Sequence, residues 1–273
     1  MAGLDAARLD ARAPALSAEI GFGWHGKRLL RYSGGRPSKF GIYRQQFAEA
    51  LEVAASHRLR VEGIHFHCGC GYLGGQLPLF GRVLELGAWF AEQVPRLRYI
   101  NIGGGLGVPL VRSDRPLDLE AWSSLIASRL GQLRAQVWIE PGDYIVKDAG
   151  VLLLQVTLTE TKAGIVFCGV NGGCNLHPEP AYYGLPLHPV PCRRPAAGRL
   201  TRVTIAGNIN EALDLFGEDV LLPPLREGEI LALLNAGGYG SAMSSNHCLR
   251  GEFREILLGR NRAGASRDAR IHV

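Results

Sequence analysis

Apolar residues in the first half of the chain follow two spacings in turn, one typical of strands and one typical of helices. Helical spacing occurs in three stretches, KFGIYRQQFAEALEVAASH (39–57), LPLFGRVLELGAWFAEQV (77–94) and LEAWSSLIASRLGQL (119–133). Short apolar runs that end in glycine or Pro-Gly occur in three others, LRVEGIHFHC (59–68), LRYINIGGGLG (97–107) and AQVWIEPG (135–142). Repeated strand–helix units predict a parallel sheet or barrel, whose functional end lies at the loops after the strands.

The pattern changes near residue 148. The run GVLLLQVTLTETKAGIVFCGV (150–170) is rich in β-branched residues and has a turn at Ala163-Gly164. Short strands and Pro-rich loops follow it. We therefore predict an α/β domain over residues 1–148, a mainly β domain over 149–258 and a disordered tail over 259–273.

Composition excludes several classes of protein. The 273 residues include 30 basic and 25 acidic side chains, and the arginines are dispersed, which argues against a nucleic-acid surface. No apolar run is long enough for a membrane span, and the N-terminal residues lack the apolar core of a leader peptide, so we expect a cytoplasmic protein without membrane contact. Six cysteines without regular spacing favour reduced thiols.

The stretch HFHCGC (65–70) resembles a metal site at first sight. On a regular strand His65 and His67 share one face while Cys68 points to the other, so four ligands cannot converge on one zinc ion. A zinc site using His65, His67 and Cys70 requires a kinked strand. We favour His67 as a ligand-facing residue at a strand end, and we predict no metal.

Three other motifs place candidate functional residues at turns of the chain. The glycines of NIGGGLGV (101–108) follow a strand and suit close approach to a phosphate, although a purely structural turn has the same pattern. Glu140 follows the next strand and is held by Pro141-Gly142, where it either pairs with a ring nitrogen, a metal or a partner residue or is a surface glutamate. Tyr239 lies within NAGGYGSAMSSN (235–246), where it is either a phosphate donor or a buried tyrosine in a hairpin turn.

Seven motifs in the same order resemble those of the fold type III pyridoxal phosphate decarboxylases, the family of diaminopimelate and ornithine decarboxylases. They span roughly residues 17–258 and read SKFGI, GIHFHCGCG, NIGGGLGV, EPGDYIVKDAGVLL, PAYYG, GNINEALD and NAGGYGSAMSSN. The resemblance implies a partial alanine-racemase-like (β/α) barrel of the TIM type, followed by a C-terminal β-sandwich or β-barrel domain.

The resemblance also implies roles for individual residues and pyridoxal 5'-phosphate as cofactor. His67 would stack on the cofactor ring, Glu140 would hold the ring nitrogen protonated, and Tyr239 would donate to the phosphate. The phosphate turn would comprise Cys70, Gly103, Gly104 and Gly105. The catalytic residues would be Glu140, His67 and Asn210, and the substrate-binding residues Glu179, Tyr183, Glu211 and Asp214. Enzymes of this family share active sites across a homodimer, so a homodimer that binds an amino acid is implied.

Departures from the family pattern are specific. The segment with the Schiff-base lysine is missing, and the four lysines present (Lys27, Lys39, Lys147, Lys162) lack its surroundings. The family's reprotonating cysteine is Asn210 here, its phosphate-binding serine is Cys70, and two of its arginines are Asp143 and Glu179. Acids at those two positions would repel a distal carboxylate and weaken phosphate binding, so we expect a substrate other than meso-diaminopimelate, one with a cationic far end.

Two functions follow from the sequence. The first is pyridoxal phosphate-dependent decarboxylation of an amino acid, with the lysine-bearing segment outside this chain. The alternative is a non-catalytic or truncated homologue that binds pyridoxal phosphate or a partner subunit, which the changes at Asn210, Asp143 and Cys70 favour.

Overall fold

The computed structural model describes residues 24–26, 41–67, 69–193, 200–258 and 267–269. It separates into two compact units, residues 1–150 and residues 151–273. Most of the SKFGI motif, Lys27, Lys39 and Cys68 lie outside the described residues.

The first unit is a parallel sheet with helices between its strands. Its elements are α1 (Phe47–Ser56), β1 (Gly63–His65), α2 (Leu77–Glu92), β2 (Tyr99–Asn101), α3 (Leu119–Leu130), β3 (Gln136–Trp138) and the short α4 (Asp143–Val146). The strands lie in the order β1-β2-β3, all parallel, and the register pairs His65 with Asn101 and Asn101 with Trp138. The carboxyl ends of the three strands therefore meet at one edge, as the strand–helix repeat predicted.

The core of this unit lies between the sheet and the apolar faces of the helices. Tyr72, Phe80 and Trp122 stack in series, and the Trp122 indole N–H donates to the Tyr72 hydroxyl at 3.0 Å. The Asp118 carboxylate begins α3 by accepting the Ala121 N–H at 3.0 Å. On α2 a Cβ at Gly87 would overlap the Phe66 ring, so this glycine allows the helix to approach β1 closely.

The second unit is a six-stranded mixed sheet. Its strands are β4 (Val151–Lys162), β5 (Ile165–Val170), β6 (His188–Pro191), β7 (Thr201–Ala206), β8 (Leu215–Leu222) and β9 (Ile230–Leu234), in the order β6-β9-β4-β5-β7-β8. A register shift between Val156 and Leu158 lets β4 pair first with β9 and then with β5. Apolar side chains of this sheet, including Val156, Ile205 and Leu233, form the unit's core.

The turns and the end of the second unit can be compared with the predictions. Ala163 and Gly164 both have positive φ (49° and 83°), which suits a tight turn between β4 and β5, so the predicted turn is confirmed. A short helix, α5 (Tyr239–Ala242), follows β9. Within the segment predicted as a disordered tail, β11 (Arg267–Ala269) pairs antiparallel with β10 (Glu255–Leu257).

None of the helices in the described part of the chain combines the length and the apolar composition that crossing a membrane requires.

Candidate active site

A carboxylate, an amide and an imidazole converge at the carboxyl edge of the parallel sheet. The Asn101 side-chain amide donates to Glu140 Oε1 at 2.7 Å, and His65 Nε2 lies 3.5 Å from Glu140 Oε2. The Glu140 side chain is nevertheless 51% exposed. Asn101 and His65 thus orient the carboxylate, which remains accessible to a ligand.

The glycine turn after β2 is packed against the same edge. A Cβ on Gly104 would overlap the Glu140 carbonyl oxygen, and one on Gly105 would overlap the Gly69 carbonyl oxygen. Gly105 also has a positive φ of 93°, which larger residues rarely adopt. Within the described part of the chain the N–H groups of Gly104 and Gly105 have no hydrogen-bond partner, so the turn can accept an anion.

His67 and Cys70 border this turn. The Gly69 N–H donates to His67 Nδ1 at 3.1 Å, which fixes the proton of the neutral ring on Nε2. A Cβ on Gly103 would lie 3.1 Å from His67 Cδ2, so the imidazole lies against the glycine turn. Cys70 is partly buried, and its carbonyl oxygen accepts the Trp24 N–H at 2.8 Å.

Asp143 begins α4 beside a buried cation. Lys147 Nζ lies 3.5 Å from Asp143 Oδ2, and both side chains are buried. The sequence-based expectation that the Asp143 charge acts on the phosphate assumed an uncompensated carboxylate. The structure corrects that assumption, because the cation one helical turn later offsets the charge.

In the second unit, the loop between β7 and β8 exposes Asn210 and Glu211. The Cys248 thiol donates to Asn210 Oδ1 at 3.1 Å, and His247 Nε2 lies 3.9 Å from Glu211 Oε1. Cys248 has a positive φ of 55°, and this left-handed backbone brings the thiol to the loop.

Asp214 ends the same loop and is 3% exposed. Its two carboxylate oxygens accept the N–H groups of Cys174 at 2.5 Å and Ile209 at 2.6 Å. Gly173 and Gly207 leave room for it, since a Cβ on either would collide with the carboxylate. The structure corrects the prediction that Asp214 binds the substrate, because its carboxylate is buried and holds the loop together.

Glu179 and Tyr183 bound a single π-helical turn, Glu179–Tyr183. Glu179 is 2% exposed and its Oε2 lies 3.3 Å from the buried His177 Nε2, whereas Tyr183 is partly exposed. A buried carboxylate beside an imidazole is not presented to a substrate. This geometry removes the electrostatic argument that Glu179 repels a distal carboxylate.

Tyr239 is the first residue of α5, and its side chain is 43% exposed. The alternative of a buried tyrosine in a hairpin turn is therefore wrong. Gly240, the next residue, packs directly on the His177 ring, and a Cβ there would overlap Nδ1. The segments around His177 and Tyr239 are further joined by the Ser245 N–H, which donates to the Asn175 carbonyl at 2.9 Å.

Sequence reasoning missed two contacts of these sites. Asn101 stands at a strand end two residues before Gly103, and position at a strand end, the signal that identified Glu140, could have identified it too. Cys248 carried no signal, because its approach to Asn210 depends on a left-handed backbone. Among the described residues no group of three His, Cys, Asp or Glu side chains is placed to hold a metal ion.

These elements define a class of protein. It has a partial (β/α) barrel, with a fixed carboxylate and a glycine turn of the kind that binds a phosphate, followed in the chain by a mixed β-sheet unit. The chain belongs to the fold type III pyridoxal phosphate-dependent decarboxylase family, since the family model described as "Pyridoxal-dependent decarboxylase, C-terminal sheet domain" matches residues 45–237.

Individual relatives agree with the family. The chain is 34% identical over 252 residues to a diaminopimelate decarboxylase of Methanothermobacter thermautotrophicus, covering 86% of this chain and 57% of that protein. It is 32% identical over 269 residues to the Escherichia coli K12 diaminopimelate decarboxylase, covering 91% and 62%. A crystal structure of a diaminopimelate decarboxylase superposes with a TM-score of 0.79 at 28% identity, covering 94% of this chain and 63% of that one. The chain thus spans about three fifths of the length of these relatives.

The first unit fits pyridoxal phosphate in its phosphate and ring elements. The glycine turn has the close approach and open N–H groups that a phosphate needs, and Glu140 is a fixed, accessible acceptor for a ring N–H. The two described lysines are engaged elsewhere, Lys147 with Asp143 and the exposed Lys162 with Glu160 at 2.6 Å. The fit therefore covers noncovalent binding of the group by this chain.

Proposed function

We propose that this chain is the part of a pyridoxal phosphate-dependent amino acid decarboxylase that binds the cofactor's phosphate and ring nitrogen. The observation that carries the proposal is Glu140, held by Asn101 beside a glycine turn at the carboxyl edge of the parallel sheet. When bound, pyridoxal phosphate accepts the electron pair left when carbon dioxide departs.

Each residue of the first unit has a task in this proposal. The N–H groups of Gly104 and Gly105 bind the phosphate, and the Glu140 carboxylate accepts the ring N–H and so favours the protonated ring. The His67 imidazole packs on the ring face. Cys70 borders the phosphate turn, where its thiol is a weaker donor than the serine of the family pattern.

The second unit carries the other residues to which the family resemblance gives roles. Tyr239 offers an exposed phenol as a phosphate donor, and Asn210, Glu211 and Tyr183 offer polar groups on exposed or partly exposed segments. We assign the loop that carries Asn210 to the partner's cofactor pocket in a homodimer. The activity requires a lysine other than Lys147 and Lys162.

The substrate proposal is an α-amino acid with a polar far end. The expectation against meso-diaminopimelate is not supported, since the relatives above are named diaminopimelate decarboxylases and Glu179 is buried. An arginine decarboxylase of a Chlorella virus shares the fold at a TM-score of 0.67 and 20% identity. Both diacidic and cationic substrates therefore belong in the test.

The test is release of carbon dioxide from meso-diaminopimelate, ornithine, arginine and lysine in the presence of pyridoxal phosphate, by the chain combined with the lysine-bearing segment of the family. Glu140→Gln should lower kcat at least about a hundredfold, because ring protonation loses its carboxylate partner, as for removal of a group that stabilises transition-state charge. Glu52→Gln, an exposed acid on α1, is the matched control and should keep full activity.

The same experiment separates the alternative function. Cofactor binding without turnover of any substrate, when the lysine-bearing segment is supplied, would favour a non-catalytic homologue that binds pyridoxal phosphate. Borohydride reduction followed by intact-mass measurement shows whether any lysine of the chain joins the cofactor. If the wild-type protein neither binds pyridoxal phosphate nor releases carbon dioxide, the proposed function is wrong.

A further inference from the structure

Asn101 makes two hydrogen bonds at once, one to each functional element of the first unit. It ends β2 and is 6% exposed. Its Nδ2 donates to Glu140 Oε1 at 2.7 Å, and its Oδ1 accepts the Gly103 N–H at 2.9 Å. One side chain thus joins the carboxylate to the start of the glycine turn.

The orientation of this amide is fixed by chemistry. The Gly103 N–H can only donate, and an ionised Glu140 carboxylate can only accept. The amide oxygen must therefore face Gly103 and the amide nitrogen must face Glu140. Aspartate at this position would keep the bond from the Gly103 N–H and lose the bond to Glu140, and an aliphatic residue would lose both.

Backbone contacts make the connection stiff. The Glu140 N–H donates to the Gly103 carbonyl at 2.9 Å, so the ends of β2 and β3 are joined through both main chain and side chain. His65 is the other titratable group beside the carboxylate, with its Nε2 3.5 Å from Oε2. Oε1 is therefore directed by Asn101 and Oε2 lies near His65, in a side chain that is 51% exposed.

We propose that Asn101 is a positioning residue, which sets the direction of the Glu140 carboxylate relative to the phosphate turn. The role rests on the proposed function, because the ligand that both elements serve is the cofactor. Asn101 itself touches neither the reacting atoms nor the ring; it acts through Glu140 and Gly103.

The first test needs no cofactor. Asn101→Asp places a second carboxylate against Glu140, which should lower the unfolding temperature more at pH about 8 than at pH about 5, where one carboxyl can hold a proton. In the double variant Asn101→Asp, Glu140→Gln the donor and acceptor exchange places, so the unfolding temperature at pH about 8 should recover. If the double variant is no more stable than Asn101→Asp, the proposed contact is absent and the inference is overturned.

The second test uses pyridoxine 5'-phosphate, which lacks the aldehyde and so needs no lysine. Asn101→Ala should weaken its binding about tenfold or more, as expected for a lost hydrogen bond to a charged group. The ultraviolet band of the bound ring should also show that the ring nitrogen loses its proton at lower pH than in the wild type. Gln136→Ala, at the exposed start of β3, is the control and should change neither quantity.

The outcomes separate the two proposals. If Glu140→Gln changes ring protonation and Asn101→Ala does not, the positioning role is wrong while cofactor binding stands. If the wild-type protein does not bind pyridoxine 5'-phosphate, the proposed function fails, and the role of Asn101 toward a cofactor fails with it.

Discussion

The Cys248 thiol donates a hydrogen bond to the Asn210 amide oxygen, with 3.1 Å between Sγ and Oδ1. The family resemblance assigns position 210 to a cysteine that returns a proton to the substrate carbon, and an amide cannot act as a comparable acid. In this chain the Cys248 thiol, which comes from another segment, lies beside position 210. Both side chains are exposed, so the thiol is accessible at the loop.

Replacing Cys248 by alanine should therefore lower kcat by at least about a hundredfold with little change in KM, the range of a lost general acid. The measurement is steady-state decarboxylation on the substrate that the wild type accepts. Cys192→Ala removes another exposed cysteine and should leave kcat unchanged. Adding Asn210→Cys to Cys248→Ala should restore part of the loss. Equal rates for the wild type and Cys248→Ala would contradict this role.

Asp214→Asn should destabilise the protein by about 2 to 3 kcal/mol, because an amide offers only one acceptor oxygen to the two buried N–H donors. The measurement is the free energy of unfolding in urea. Asp219→Asn makes the same chemical change at an exposed position with positive φ, which asparagine tolerates, and should be neutral. Equal effects of the two substitutions would refute the structural role of Asp214.

Sequence patterns predicted the elements that depend on local spacing. Apolar spacing predicted α2 and α3, and glycine or Pro-Gly at strand ends predicted where Gly103 and Glu140 lie. These signals are local, because the side-chain period and the turn residues are read within one segment.

Sequence patterns failed where burial and long-range pairing decide the role. Asp214 and Glu179 are acids in polar motifs, and nothing in their neighbouring residues shows that they are buried. Asp143 and Lys147 have helical spacing, so their pairing could in principle have been predicted, but the helix is only four residues long. The contact of Cys248 with Asn210 joins residues 38 positions apart, so no spacing rule reaches it.

Gly105→Ala should abolish binding of pyridoxine 5'-phosphate and lower the unfolding temperature. The added Cβ would overlap the Gly69 carbonyl oxygen, and alanine is strained at a φ of 93°. Gly131→Ala is the matched control, because it follows α3 with helical φ and has open space around its Cβ position. That substitution should be neutral or stabilise by about 0.4 to 1 kcal/mol. Tight ligand binding by Gly105→Ala would exclude the turn as the phosphate site.

Two buried thiols should make the protein less stable in alkali. Burial raises the pKa of Cys168 to about 11 from 9.0, and the Glu229 charge adds to the shift. Burial likewise raises the pKa of Cys174 to about 11, with the Asp214 carboxylate as the second cause. The folded state holds these protons more tightly than the unfolded state, so the stabilisation is complete below pH 9 and is lost as pH rises toward about 11.

The loss can amount to about 2 to 3 kcal/mol per thiol, since one unit of pKa corresponds to about 1.4 kcal/mol. Tyrosine and lysine side chains titrate in the same range, so the informative quantity is the difference between variants. Cys168→Ala should lower stability at pH about 8 through a small cavity, but its unfolding free energy should fall less steeply above pH 9 than that of the wild type. Cys192→Ala, at an exposed position, should keep the wild-type slope. Parallel curves for Cys168→Ala and the wild type would show that this thiol titrates alike in the folded and unfolded chain.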